Sequence, residues 1–154
     1  IGCGMNVVAS KFGEKNSETI TIDINGTSVD VNVNYIEKDD LLAQSDYISI
    51  NVPMPESGKA VLCSTCFGKM KDGVRIVNAA RGGVVCETSL LEALDSGKVS
   101  AAALDVFENE PNVNPAILAH NKIALTPHIG AATGEAQDRI GEELADKITA
   151  YFKG

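Results

Sequence analysis

The sequence has no tryptophan, only two histidines and a shortage of positive charge. Its 13 lysines and arginines stand against 21 acidic residues, and the net charge of −8 disfavours binding to nucleic acid or to an anionic membrane. No apolar run approaches the roughly 18 residues that span a bilayer, and the first residues lack the pattern of a signal peptide. The sequence therefore predicts a soluble, cytoplasmic protein.

Cysteine is also scarce. Four cysteines are too few and too irregularly placed for the disulfide framework of a small secreted domain. Cys63 and Cys66 form a C-x-x-C motif, but no second cysteine pair or histidine pair has the spacing of a zinc site. Lys69, Lys71 and a turn at Gly73 follow the motif, which is typical of a short surface helix. The sequence predicts reduced thiols here, with neither a metal site nor a redox role.

What is present is the composition of a globular domain, with 44% hydrophobic and 22% charged residues among 154. Near the start, Gly4 to Ala9 predicts a strand. Residues 20 to 35 alternate strictly between apolar and polar around Asn25-Gly26, which predicts a β-hairpin over about 19–36. A two-residue loop would place Ile22 opposite Val29 and Ile20 opposite Val31.

After the hairpin, short apolar runs alternate with short helical patterns. This rhythm predicts an α/β fold with a doubly wound parallel sheet of the Rossmann-like type. The run that begins at Tyr47 is apolar almost throughout, which predicts a strand covered on both faces. The predicted strands are Tyr47–Val52, Val74–Val77, Ala101–Leu104 and Lys122–Leu125.

Two helices have clear signals. Ser89-Leu90-Leu91-Glu92 has the spacing of a capping box, which predicts a helix that begins there and ends near Gly97. From Glu135 onward, apolar residues recur every fourth position, which predicts a long amphipathic helix. The residues of that stripe are Ala136, Ile140, Leu144, Ile148 and Phe152.

Polar residues follow the predicted strands, at the edge where open α/β sheets bind ligands. Arg81 offers a planar fork of donors that fits a carboxylate, and the two glycines after it would let a ligand approach the backbone. Glu110 beside His128 would orient the imidazole and favour its protonated form, as acid–base catalysis near neutral pH requires. Taken singly, an arginine is more often a surface residue and a histidine more often structural, and His120 keeps that structural interpretation.

Three segments of the sequence resemble those of a known family. Residues 76–85 (IVNAARGGVV), 103–111 (ALDVFENEP) and 125–133 (LTPHIGAAT) closely resemble signatures of the D-isomer-specific 2-hydroxyacid dehydrogenases. The resemblance runs from about Leu41 to the C-terminus and includes Ser49 to Pro53. Around His128 it is greatest to the 3-phosphoglycerate dehydrogenase branch of the family.

The resemblance implies hydride transfer between NAD and a D-2-hydroxy acid, with 3-phosphoglycerate as the leading substrate. Arg81, Glu110 and His128 match the family's catalytic positions. It also implies a homodimer, and a last helix over 133–154 that crosses toward a substrate domain absent from this chain. Positions that would touch the cofactor are Val52, Pro53, Ala79, Ala80, Arg81, Asp105, His128, Gly130 and Ala131.

The sequence departs from the family pattern at several positions. Gly2-Cys3-Gly4 lacks the third glycine of the dinucleotide-binding turn, so residues 1–132 are expected to be the latter part of such a domain. Ser10 or Lys11 replaces the acid that binds the adenosine ribose, which leaves NADP possible. Cys86 replaces a capping aspartate, leaving Thr88 or Ser89 to cap the next helix. An NADPH-preferring hydroxypyruvate or glyoxylate reductase, or a dinucleotide-sensing corepressor, therefore stays open.

Overall fold

The computed structural model describes residues 4–11, 17–24 and 26–153. It confirms an α/β fold with a four-stranded parallel sheet, in the order β3-β4-β5-β6, beside a separate antiparallel β1-β2 hairpin. The elements are β1 (Glu18–Ile24), β2 (Thr27–Val33), α1 (Lys38–Gln44), β3 (Tyr47–Ile50), α2 (Ser64–Lys69), β4 (Val74–Asn78), α3 (Glu87–Asp95), β5 (Val99–Leu104), α4 (Pro115–Ala119), β6 (Ile123–Leu125) and α5 (Gly134–Lys153).

The hairpin has the predicted register. Ile22 lies opposite Val29 and Ile20 opposite Val31. Gly26 has the positive φ, 79°, that a tight hairpin turn requires, whereas Asn25 lies outside the described residues. The hairpin forms its own two-stranded sheet.

The strand predicted over Gly4 to Ala9 is wrong. This segment forms one isolated parallel bridge, between Ala9 and Tyr35. Two hydrogen bonds hold it, from Ala9 N–H to Asn34 O (3.0 Å) and from Ile36 N–H to Ala9 O (2.8 Å). A strand needs a continuous ladder, and the described residues offer this segment a partner only at its end.

The prediction that the strand beginning at Tyr47 is covered on both faces is wrong for the described residues, because alternate residues of β3 are exposed. Successive strands advance in one direction, and because such crossovers are right-handed, their connecting helices fall on the same face. That face carries the core, whereas Tyr47 and Val77 on the other are 60% and 41% exposed. Fully buried side chains in the core include Leu42, Val74, Ile76, Leu90, Leu94, Val99 and Ile117.

Helix α3 begins at Glu87 rather than at Ser89, so the predicted capping box is wrong. Cys86 occupies the N-cap position without a side-chain cap, and Ser89 Oγ instead donates to Cys86 Sγ (3.3 Å). The first helical N–H, at Glu87, donates to Glu108 Oε1 (2.8 Å), and Glu108 N–H donates in return to Glu87 Oε1 (2.8 Å). A carboxylate 21 residues away therefore caps the helix.

Helix α5 is as long as predicted, with 20 residues. None of its described side chains is buried, and the apolar stripe is exposed: Ile140 and Ile148 are each 50% accessible, Leu144 56% and Phe152 81%. In the sequence, charged residues stand between the apolar residues of this stripe. Neither α5 nor any other described helix has the length and apolar character to cross a bilayer.

Candidate active site

The candidate site lies where the four parallel strands end. Because β3 to β6 run in the same direction, the residues that follow them meet at one edge of the sheet. Asn51 to Pro53 follow β3, Ala79 to Arg81 follow β4, Asp105 follows β5, and Thr126 to His128 follow β6. All the predicted catalytic and cofactor residues lie on these segments or on the two loops that continue from β5 and β6.

A cleft of about 350 Å³ opens between the segments after β3 and β4. The volume is that of a small binding pocket. Five predicted cofactor positions line it with Asn51, namely Val52, Pro53, Ala79, Ala80 and Arg81.

Asn78, the last residue of β4, shapes the loop that carries Arg81. Its buried side chain accepts from Ala80 N–H (3.1 Å) and donates to the Arg81 carbonyl (3.1 Å). This is the local turn that asparagine favours. Sequence reasoning missed it, although an asparagine closing a buried strand was the available signal.

The Arg81 guanidinium is exposed. Nη1 donates to the Ala80 carbonyl (2.8 Å), and among the described residues no acid pairs with it. Its remaining donors are therefore available to an anionic ligand, as the bidentate geometry of arginine allows.

The glycines after Arg81 have a structural role that the sequence did not suggest, and close approach of a ligand to their backbone stays a prediction. A Cβ at Gly82 would lie 1.7 Å from the Phe107 carbonyl oxygen, so only glycine fits there. Gly83 has a φ of 80°, and a Cβ on it would lie 2.7 Å from Met54 Cε. The tight contact at Gly82 packs the Arg81 loop against the loop that carries Glu110.

Glu110 and His128 come together as predicted. Glu110 Oε2 is 2.6 Å from His128 Nδ1, and Glu110 Oε1 accepts from Phe107 N–H (2.9 Å). The hydrogen bond with His128, followed by that from Phe107, lowers the pKa of Glu110 below its ordinary value. An ionised carboxylate only accepts, so the proton sits on Nδ1 and Nε2 faces away from Glu110.

The turn after β6 places His128 in the left-handed region, with a φ of 54°. A side chain in this region costs roughly 1–2 kcal/mol. Asp105 offsets that cost, because its Oδ1 accepts from Thr126 Oγ1 (2.6 Å) and Ile129 N–H (2.9 Å) and its Oδ2 accepts from Gly130 N–H (2.8 Å). The hydroxyl of Thr126 and then the two backbone donors outweigh burial and lower the pKa of Asp105.

Three residues that were predicted to touch the cofactor thus form hydrogen bonds within the protein. The carboxylate of Asp105 and the N–H of Gly130 bond to each other, and the Ala131 carbonyl accepts from Gln137 Nε2 (2.5 Å). These bonds fix the His128 turn, a role that the sequence did not suggest. Contact with a cofactor stays a prediction for all three.

The remaining candidates lie apart from this network. His120 Nε2 is 3.4 Å from Asp95 Oδ1 at the end of α4. Lys11 lies over the Tyr35 ring, 5.9 Å from its centroid, next to the Ala9 bridge. Gly2 and Cys3 lie outside the described residues. In the part of the chain that is described, no three histidine, cysteine or acidic side chains are grouped to hold a metal ion.

The sequence of this chain matches the model of a known family. The model of the NAD-binding domain of D-isomer specific 2-hydroxyacid dehydrogenases matches residues 1–130. The chain belongs to this family. A hydroxypyruvate reductase from Thermotoga maritima is 46% identical over 143 residues, which are 91% of this chain and 46% of the reductase.

Other relatives agree on the family. A D-3-phosphoglycerate dehydrogenase from Archaeoglobus fulgidus is 46% identical over 126 residues, 80% of this chain and 24% of that protein. The crystal structure of a glyoxylate reductase from Paecilomyes thermophila superposes with a TM-score of 0.66 and 45% identity, covering 71% of this chain and 33% of the reductase. The chain therefore spans less than half the length of these relatives.

Proposed function

We propose that this chain supplies the cofactor-binding and acid–base half of an enzyme that transfers a hydride between NAD and a D-2-hydroxy acid. The observation that supports this most directly is the 2.6 Å hydrogen bond between His128 Nδ1 and Glu110 Oε2. It lies at the same sheet edge as the exposed guanidinium of Arg81 and the cleft beside it.

Each polar group has a role in the reduction of a 2-keto acid. The Arg81 fork holds the carboxylate and polarises the adjacent carbonyl. His128 Nε2 donates a proton to the carbonyl oxygen as negative charge develops there. Glu110 fixes the ring through Nδ1 and stabilises the imidazolium before that transfer. In the oxidation direction, neutral His128 accepts the hydroxyl proton.

The residues present fit the nicotinamide end of the cofactor. Four of the six residues that line the cleft are small or apolar, namely Val52, Pro53, Ala79 and Ala80, and such a lining suits a flat ring. Val52 and Pro53 would hold it from the β3 side. The nicotinamide, when bound, supplies or accepts the hydride, and the chain's own residues position the substrate and move the proton.

For the substrate, 3-phosphoglycerate and its keto acid are our first choice, supported by the phosphoglycerate dehydrogenases among the relatives. Hydroxypyruvate or glyoxylate reduction is the second. It is supported by the reductase that matches 91% of the chain, and by Lys11 and Ser10 at the position where an acid would select NAD.

A matrix of initial rates distinguishes these functions in the full-length enzyme. NADH and NADPH are each combined with 3-phosphohydroxypyruvate, hydroxypyruvate and glyoxylate, and kcat/KM is compared. The highest value for the phosphorylated substrate with NADH supports the first choice, and a preference for NADPH with an unphosphorylated acid supports the second. Dinucleotide binding without turnover of any 2-keto acid would contradict both and favour a sensor.

A further inference from the structure

The structure brings the two cysteines of the C-x-x-C motif into contact, which the sequence interpretation did not anticipate. Cys63 is the N-cap residue of α2, and Cys66 lies in its first turn. Their sulfur atoms are 3.5 Å apart. A disulfide bond is about 2.05 Å long, so rotation of the side chains brings the sulfurs to bonding distance without unfolding the helix.

The surroundings of the two thiols differ. Cys63 is partly exposed, and its sulfur is 3.1 Å from the hydroxyl of Thr65. Cys66 is buried, and its one thiol proton has two acceptors within reach, the Val61 carbonyl (3.3 Å) and the Cys63 sulfur (3.5 Å). This is the arrangement of a redox-active pair, in which an accessible attacking thiol lies beside a protected resolving one. A purely structural pair of core cysteines would not need one sulfur at the surface.

The local hydrogen bonds favour the thiolate of Cys63. The hydroxyl of Thr65, then the thiol of Cys66 and the backbone N–H of Cys66, lower the pKa of Cys63 to about 7. Thiolates in C-x-x-C motifs react fastest when their pKa lies near the ambient pH. The helices packed against α2 also carry titratable groups, and α2 itself carries Lys69. They are Lys38, Asp39 and Asp40 on α1, and Cys86, Glu87, Glu92 and Asp95 at the start of or on α3.

We propose that Cys63 and Cys66 form a thiol–disulfide exchange site for small disulfides of the glutathione class. The Cys63 thiolate attacks one sulfur of the disulfide, forms a mixed disulfide and releases one thiol. Cys66 then loses its proton, its sulfur attacks Cys63, and the second thiol leaves. The two cysteines lose two electrons and two protons, which convert one small disulfide into two thiols.

The site is tied to the loop beyond Arg81. Val61 and Leu62 precede the pair, and their backbone bonds to that loop. Both of their N–H groups donate to Val84 O (2.8 and 3.1 Å), and Leu62 O accepts from Cys86 N–H (2.9 Å). Oxidation removes the thiol donor to the Val61 carbonyl, which keeps its bond from Lys38 Nζ (2.8 Å). The Val61 carbonyl therefore keeps a hydrogen-bond donor in the disulfide form.

The test is a redox titration of the full-length protein, read by peptide mapping. The protein is equilibrated at pH 7 with mixtures of reduced and oxidised glutathione, quenched in acid, alkylated and digested with trypsin. Residues 60–69 form one tryptic peptide that contains Cys63 and Cys66, whereas Cys86 lies on the peptide 82–98 and serves as an internal control. We expect peptide 60–69 to pass from the doubly alkylated form to an internal disulfide.

Two variants establish which of the two thiols attacks the disulfide first. In Cys66→Ser, the mixed disulfide between Cys63 and glutathione should accumulate, because the resolving thiol is missing. In Cys63→Ser, Cys66 should remain alkylatable after unfolding and form little adduct.

A third variant tests the hydroxyl beside Cys63. In Thr65→Val, the pH at which Cys63 is half-reactive toward iodoacetamide should rise.

The proposal is overturned if peptide 60–69 stays doubly alkylated over the whole titration. It is equally overturned if Cys63 in the Cys66→Ser variant forms its adduct no faster than Cys86. An unchanged reactivity profile in Thr65→Val would remove the activating role of that hydroxyl. These outcomes do not depend on dehydrogenase activity.

Discussion

At the scale of single residues, the site depends on hydrogen bonds between loops that are distant in the sequence. Glu110 bonds to the imidazole of His128, and Asp105 accepts from the Thr126 hydroxyl before the turn and from the backbone N–H groups of Ile129 and Gly130 after it. Both carboxylates have lowered pKa values because the protein surrounds them with donors. One acid therefore orients the ring, and the other fixes the turn that carries it.

Glu110→Gln tests the first of these acids. The amide keeps the size of the side chain but removes the charge that stabilises imidazolium. A positioned acid–base group contributes about 10²- to 10⁴-fold to the rate, so weakening its support should lower kcat/KM by roughly 10- to 100-fold. The matched control is Glu142→Gln, an exposed acid on α5 whose loss should leave kcat/KM unchanged. Equal activity of both variants would remove Glu110 from the site.

Asp105→Asn tests the second acid. The new amide group would place a donor against the N–H of Ile129 or Gly130, leaving a buried donor without an acceptor. The expected loss of folding free energy is about 1–3 kcal/mol, accompanied by a lower kcat/KM because the His128 turn relaxes. Thr126→Val removes one of the three bonds and should give a smaller effect. Chemical denaturation and steady-state kinetics measure both quantities.

The same acid determines part of the pH dependence of stability. The folded pKa of Asp105 is lowered, so its contribution is complete above the ordinary aspartate pKa of about 3.9 and is lost as the pH falls through the folded value. Asp105→Asn should therefore cost more at pH 7 than at pH 3. An equal cost at both pH values would contradict the hydrogen-bond account of this carboxylate.

At the scale of elements, long-range contacts decide where α3 begins. Glu87 and Glu108, 21 residues apart, each donate a backbone N–H to the carboxylate of the other. Burial raises the pKa of Glu87, and the charge of Glu108 adds to this. A raised carboxyl pKa means that stability decreases as the pH rises from the ordinary glutamate value of about 4.3 through the folded value.

Glu87→Gln should therefore be neutral or stabilising at pH 7. Glutamine keeps the oxygen that accepts from Glu108 N–H and removes a buried charge. Urea denaturation at pH 5 and pH 7 should show a smaller decline with pH in the variant than in the parent. Glu92→Gln, an exposed position on the same helix, is the control. A large destabilisation of Glu87→Gln at pH 7 would show that the charge itself is needed.

Local patterns in the sequence predicted the elements whose signals are local. The alternation around Asn25-Gly26 predicted the register of the hairpin, and the stripe from Ala136 predicted α5. The start of α3 could not be predicted this way, because its cap comes from Glu108. The polar residues after each strand predicted the Glu110–His128 pair, but not the fixing roles of Asn78 and Asp105, which depend on turn geometry.

At the scale of the whole molecule, two apolar surfaces lie open in the described residues. One is the face of the sheet that carries Tyr47 and Val77, and the other is the stripe on α5. The chain covers 46% of the Thermotoga maritima reductase and 24% of the Archaeoglobus fulgidus dehydrogenase. Passage of α5 toward a substrate domain and assembly as a homodimer stay predictions from the family resemblance.

We propose that these loops together form one acid–base site of a D-2-hydroxyacid dehydrogenase. The chain contains two histidines, so it provides its own control. His128 lies in the turn held by Asp105, and His120 pairs with Asp95 at the end of α4. Only the former has a place in the proposed proton transfer.

The most direct measurement is kcat/KM for 2-keto acid reduction by the full-length enzyme, its His128→Gln variant and its His120→Gln variant, with dinucleotide affinity measured separately. Removal of a general acid typically costs about 10²- to 10⁴-fold, and we predict a loss in that range for His128→Gln with nearly unchanged dinucleotide binding. His120→Gln should retain the parent activity. Similar activities for the two variants would contradict the assignment of the site.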